Sequence, residues 1–285
     1  MVRTGPVLRS LGAAAVARGL DPPNNVRVTL THYVEDGDRD NFARLIDQLC
    51  AERSHVDAGD VVKSYAGPAV PVIDGRRIAF TFDDGLLSSF HAAQSILNPR
   101  GIKAIFFVPT MVLSLTTPGE MRDFFRRNVY RRQSGALVPE RYMTMSAGHL
   151  RAELAQGHAV LPHTHSHASL LSLLTPEDIE RELRAPKLLL EDMLQCPSDG
   201  FAFPVGTERV VSAVAYQALR RIYAVCFTAL GGVNGAATDR HCLYRDCVHP
   251  RYPPEHVAHI SAGSFDLVYR RKMRRLKRRI ESLAG

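Results

Sequence analysis

The chain has 285 residues and is 45% hydrophobic, enough to bury the core of one α/β barrel or two smaller domains. Its formal charge is +7, yet Arg270, Arg271, Lys272, Arg274, Arg275, Lys277, Arg278 and Arg279 place eight positive charges in one stretch. The rest is nearly neutral, which excludes a nucleic-acid footprint spread over one face of the body.

From the amino terminus, residues Met1 to Leu20 are rich in Ala and Gly, but Arg9 and Arg18 interrupt the apolar run that a signal peptide needs. The five cysteines, Cys50, Cys196, Cys226, Cys242 and Cys247, show no C-x-x-C spacing and fit a reducing compartment. No apolar stretch is long enough to span a bilayer. The expectation is a cytoplasmic protein, at most held at a membrane surface.

Short β-rich runs then alternate with amphipathic ones. Strands are expected over Val26 to His32, Arg77 to Phe82, Lys103 to Pro109, Ala159 to Leu161, Gly200 to Phe203, Ile222 to Thr228 and Cys242 to Val248. Helices are expected over Asn41 to Arg53, Leu87 to Asn98, Ser146 to Gln156, Pro176 to Leu194 and Glu208 to Arg220. This alternation predicts βαβ units around a mainly parallel sheet. The runs Ile78 to Phe82 and Ala104 to Val108 are nearly continuous in apolar residues, as in strands covered on both faces. A closed or nearly closed barrel accounts for both. Residues 116 to 142, punctuated by Pro118-Gly119, Ser134-Gly135 and Pro139, read as an insertion that serves as a lid or as a solvated excursion. No linker or repeat divides the chain, so one domain is favoured.

Two clusters carry chemistry. The strand ending at Phe82 runs into Asp83-Asp84-Gly85, which puts two carboxylates at the carboxyl end of a parallel strand, where barrel enzymes place catalytic groups. Both reach one site only if the chain bends, which Gly85 permits. Alone, this tripeptide serves equally well as a helix cap. The second cluster is His163-Thr164-His165-Ser166-His167. On a helical turn His163 and His167 share a face and His165 points away, whereas an extended segment aligns all three. Either geometry offers at least two imidazoles to a metal, and imidazole with carboxylate suits zinc best, other transition metals being compatible.

These residues carry a resemblance. Thr81-Phe82-Asp83-Asp84-Gly85 and His163-Thr164-His165-Ser166-His167 are similar, in sequence and order, to the first two motifs of the polysaccharide deacetylases, the NodB-homology family or carbohydrate esterase family 4. Phe201-Ala202-Phe203-Pro204-Val205-Gly206 resembles the third, in its F-A-Y-P-x-G form. The resemblance spans roughly residues 26 to 250 and implies a distorted, incomplete (β/α) barrel. It implies a metal-dependent hydrolase that removes the N-acetyl group from an amino sugar of a polysaccharide or glycoconjugate precursor. One divalent ion would be held by Asp84, His163 and His167, with Asp83 as base toward a metal-bound water. Pro204, Val205 and Gly206 would form the turn whose main-chain N–H at Val205 receives the oxyanion.

Two departures matter. The family's late acid histidine is missing, but Thr31-His32-Tyr33-Val34-Glu35-Asp36 resembles the first-strand segment of the poly-N-acetylglucosamine deacetylases, which makes His32 the acid and His249 its replacement. The arginine that opens the third motif in relatives is also missing. Its role in relatives is to orient the base, and here that role is vacant or filled by Arg245, grouped with the oxyanion and substrate residues, with a surface ion pair as the alternative. The same site would serve another amide, such as an N-formyl sugar or a cyclic amide, and a glycan-binding protein would retain the fold without turnover. The expected organisation is an amino-terminal extension (1–25), a catalytic domain (26–262) and a basic carboxyl-terminal helix (263–285). That helix carries an apolar stripe at Met273, Leu276, Ile280 and Leu283, suited to packing on the barrel or to contact with a membrane surface.

Overall fold

Seven successive residues of β1 (Asn25–Thr31) are buried, as expected of a strand covered on both faces. The computed structural model describes residues 21–69, 71–130, 143–207 and 211–284. The expectation for 1–20 and the distal part of the insertion, 131–142, lie outside them.

β1 pairs in parallel with β3 (Arg76–Phe82), β3 with β4 (Ile105–Val108), and β4 with β5 (Ala159–Pro162). β2 (Ser54–His55) adds to β3, and β9 (Asp246–Cys247) runs parallel to β1. A second, two-stranded parallel sheet joins β6 (Gly200–Ala202) to β7 (Val225–Phe227). Side chains of alternate residues in both sheets meet in one interior cluster: Val26, Val28, Ala79, Ile105, Phe107, Leu161, Ala202, Val225, Phe227 and Leu243. The rings of Phe107 and Phe227 lie 5.4 Å apart across it. The intervening positions Ile78, Phe80, Phe82, Phe106 and Val108 face outward into a layer of helices. This two-sided alternation is what a barrel requires. Among the described residues β5 and β6 form no ladder, so the barrel is incomplete.

The helices are α1 (Arg39–Glu52), α2 (Ala58–Ala66), α3 (Leu87–Ala92), α4 (Pro118–Phe124), α5 (Ala147–Ala155), α6 (Pro176–Ile179), α7 (Ala185–Leu194), α8 (Ala213–Ile222), α9 (Pro254–Ser261) and α10 (Asp266–Ala284). The stretch expected as Pro176 to Leu194 is α6 and α7 joined by a π turn, Glu180–Arg184. Pro186 lacks the N–H that a regular helix would use there, which accounts for the irregular turn before it. The helix expected from Glu208 begins only at Ala213, where Ser212 caps it by accepting the Ala215 N–H. β8 (Val233–Asn234), antiparallel to β1, and the short helices α2 and α9 were not expected from the sequence.

Arg27 of β1, fully buried, bonds Asp246 at 2.9 Å and Asp266 at 2.7 Å, anchoring the first turn of α10 to the barrel. Leu276 of the apolar stripe is buried with Leu219 and Tyr216 of α8, so packing on the body uses this part of the stripe. The cationic side chains of α10 are exposed.

Candidate active site

β3 delivers Asp83 and Asp84 at its carboxyl end. Asp84 (φ 71°) and Gly85 (φ 64°) are both left-handed, and this reversal turns two consecutive carboxylates toward one point. A side chain at position 85 would be strained and would press on Val108, so glycine is required there.

β5 delivers the histidines. Thr164 (φ 62°) and His167 (φ 60°) are also left-handed, so the loop curls and brings His163 and His167 together while His165 turns away to Thr110, 3.0 Å from its hydroxyl. His167 Nε2 lies 3.3 Å from Asp84 Oδ1, and His163 Nε2 lies 3.8 Å from the same atom. Asp84, His163 and His167 each offer a ligand atom within 4.8 Å of the others, and all three are buried.

The donor chemistry fits a cation. His163 Nδ1–H donates to the Ala202 carbonyl at 2.8 Å, and His167 Nδ1–H donates to the Asn128 carbonyl at 3.2 Å. Each bond fixes the tautomer that leaves Nε2 as a lone pair aimed at Asp84. Burial, with Asp83 opposing it, lowers His163 to about 4, so its imidazole is neutral. Both Asp84 carboxylate oxygens are buried without a hydrogen-bond partner. An orphaned carboxylate facing two imidazole lone pairs is stable when a divalent cation sits among them.

Asp83 is held differently. Arg245 Nη1 and Nη2 donate to its two oxygens at 2.6 and 2.9 Å, a bidentate pair. Arg245 also donates to the Thr81 hydroxyl (3.1 Å) and the Thr228 carbonyl (2.8 Å), and its guanidinium stands 5.0 Å over the Phe107 ring. Burial pushes the Asp83 carboxyl up, but the charge and hydrogen bonds of Arg245 outweigh it and hold the carboxyl below the usual range. Arg245 has no exposed surface. Its grouping with the substrate-facing residues is therefore corrected, and so is the alternative of a surface ion pair: it is sealed beneath Asp83, its donors going to Asp83, Thr81 and Thr228.

His32, half-buried at the end of β1, lies within electrostatic reach of Asp83. His249 has both ring nitrogens engaged: Nδ1 accepts the Arg251 N–H at 3.1 Å and Nε2 is 3.2 Å from the Tyr33 hydroxyl. Pro204, Val205 and Gly206 form the turn after β6, the strand whose Ala202 carbonyl orients His163. Val205 is left-handed (φ 64°), and its N–H has no acceptor among the described residues. The Gly206 carbonyl accepts the Ala229 N–H at 2.9 Å, and a Cβ on Gly206 would collide with that backbone.

Three contributors were not found from the sequence. The carbonyls of Ala202 and Asn128 leave no side-chain signal; Asn128 lies in a π turn (Phe125–Val129) after α4, so the described part of the insertion packs against the site, with Phe124 and Phe125 in the core. The third is Glu182, buried in the π turn between α6 and α7. Its Oε2 accepts the N–H groups of His165 (3.1 Å) and Ser166 (2.9 Å), and its Oε1 accepts the Ser166 hydroxyl (3.0 Å). One buried carboxylate thus clamps the loop between the two histidines that face Asp84.

The geometry defines a barrel enzyme with a buried Asp-His-His centre beside an arginine-held carboxylate. The polysaccharide deacetylase family model matches residues 73–222, more than half of the chain, and the chain belongs to that family. It is a carbohydrate deacetylase, an enzyme acting on acetylated polysaccharide. No curated protein matches the sequence. Among solved structures, IcaB from Ammonifex degensii is similar at 20% identity, covering 85% of this chain and 97% of its own, with a TM-score of 0.63. The Streptococcus pyogenes deacetylase PplD in complex with acetate gives 18%, 84%, 99% and 0.62. A de-N-acetylase from Aggregatibacter actinomycetemcomitans gives 11%, 83%, 100% and 0.63. At these identities the likeness is one of fold.

Proposed function

We propose that this chain is a metal-dependent N-deacetylase that hydrolyses the acetamide of an amino sugar in a polysaccharide or glycoconjugate precursor. The observation that carries the reading is the division of labour between adjacent carboxylates: Asp84 is orphaned toward two imidazole lone pairs, while Asp83 is held ionised by Arg245. Asp84, His163 and His167 would hold one divalent cation, zinc by donor type, with a position left for substrate and water. Such an ion supplies Lewis acidity toward water and the amide carbonyl.

Asp83, kept ionised and immobilised by Arg245, takes a proton from the attacking water as the new C–O bond forms. The Val205 N–H receives the charge that develops on the carbonyl oxygen. His32 delivers a proton to the departing nitrogen as the C–N bond breaks, giving acetate and a free amine. His249, bound to Tyr33 and Arg251, is less free to do so.

The test is acetate release from acetylated amino-sugar monomers, oligomers and lipid-linked forms, with and without chelator. Acetate production that stops on chelation and in Asp83→Asn supports the reading. Formate from N-formyl sugars with no acetate from matched acetyl sugars refutes it.

A further inference from the structure

The outer face of α10 is used neither by the barrel nor by the site. Arg270, Arg271, Arg274, Arg275 and Arg278 are exposed, and none has an acidic partner among the described residues; the helix's one surface ion pair joins Lys277 to Glu281 at 3.9 Å. The buried side of the helix fixes its direction. Asp266 is tied to Arg27 at one end, and near the other Arg279 Nε and Nη2 donate to the Val211 carbonyl at 3.1 and 2.8 Å.

Val211 leads to the loop after His167. Its neighbour Ser212 donates its N–H to the Leu170 carbonyl (3.3 Å) and its hydroxyl to the Leu173 carbonyl (2.8 Å). That loop exposes Leu171 (48%) and Leu174 (63%), and Val214 (43%) follows in the first turn of α8. Val205 (58%) stands on the neighbouring turn after β6. Four of the seven most exposed large apolar side chains described thus lie at the carboxyl end of β5 and β6, beside the final turns of the cationic helix. Exposed aliphatic side chains next to unpaired cations match a surface that is anionic outside and apolar beneath. A polyanion offers aliphatic groups nothing, and among the described residues no aromatic ring is one of the strongly exposed large apolar side chains that would stack on bases.

We propose that the basic face of α10 and the exposed leucines beside the histidine loop form a docking surface for an anionic phospholipid bilayer, with the active-site end of the barrel turned toward the lipid. The buried Leu276 gives the division of tasks: the stripe of α10 holds the helix to the body, so the helix contributes charge and the loop contributes the apolar anchor. The inference does not depend on the reaction catalysed, and it is read without turnover.

The full chain is floated with vesicles of phosphatidylcholine alone or with phosphatidylglycerol. It binds the anionic vesicles, weakens as salt rises, and the combined Arg271→Gln, Arg274→Gln and Arg278→Gln variant loses about a hundredfold in partitioning, about fivefold per charge. Leu171→Ser with Leu174→Ser weakens binding at unchanged charge. Because the chain contains no tryptophan, Leu174→Trp and Val72→Trp are single reporters, the latter 90% exposed beside the amino end of β3, at the opposite end of the barrel. On anionic vesicles the emission of Leu174→Trp moves to the blue and that of Val72→Trp does not. Equal binding to neutral vesicles, full binding by the arginine variant, or the same response from both reporters overturns the proposal. Binding to duplex DNA in place of vesicles, indifferent to the leucines, also overturns it and assigns the helix to a polyanion.

Discussion

Glu182→Ala removes the acceptor for two main-chain N–H groups and one hydroxyl at a site that is 3% exposed. A hydrogen bond to a charged group contributes about 1.5–3 kcal/mol, and buried donors left unpaired add their desolvation. The three bonds share one carboxylate and are not additive, so the expected loss is about 3–5 kcal/mol, or roughly 10 °C in Tm for a domain this size. The function should suffer more specifically than the fold. Thr164 and His167 keep left-handed backbones only because their surroundings impose them, and Glu182 is the largest polar constraint on the loop between them. Metal affinity is therefore expected to fall by about 10–100-fold. Glu182→Gln can still accept both N–H groups through its amide oxygen and should recover most of that loss. Competition titration with a chromophoric chelator measures the affinities, and thermal denaturation at saturating metal measures the stability. If Glu182→Ala binds metal as tightly as the parent and melts within a degree or two of it, the clamp does not position the histidines.

Three further outcomes are expected. Arg245→Lys cannot reproduce the bidentate pair, so turnover falls by about a hundredfold or more, and with Asp83 no longer held as low, the acidic limb of the kcat/KM profile moves to higher pH; an unmoved limb contradicts this. His32→Ala should lower kcat at unchanged metal content while His249→Ala does not, and the reverse pattern in steady-state kinetics transfers the acid role. Glu153 is buried beside His158 and Gln94, and burial raises its carboxyl to about 7. The folded form therefore binds its proton more tightly than the unfolded one, and that stability is fully present below the ordinary carboxyl range and lost as pH rises through about 7. Glu153→Gln should raise Tm at pH 8, by about 1–3 kcal/mol in stability, and hardly at pH 5; a gain independent of pH in calorimetry refutes the assignment.

The parts of the site legible in the sequence are those in which one short segment carries both chemistry and position. Asp83-Asp84-Gly85 and His163 to His167 follow apolar strands directly, so the strand ends and the ligands appear together. Arg245 lies 162 positions from its partner Asp83, so the sequence offered it as a candidate but left a surface ion pair open until the fold closes. Glu182 sits in an amphipathic run whose periodicity assigns it to solvent; the π turn ahead of Pro186 turns it inward, and hydrophobic pattern carries no trace of that rotation. The barrel was visible in the continuous apolar strands, whereas β8 is only two residues long and antiparallel, too short for any period to register. The basic helix was evident in composition, but only its packing on α8 separates the stripe that holds it from the face that remains free.

The central claim is tested most directly by titrating the metal-free chain with Co2+ and following the visible absorbance of the bound ion. One ion per chain is predicted, lost in Asp84→Asn and His163→Ala variants that remain folded and retained in Asp83→Asn. An undiminished signal in the first two variants contradicts the account.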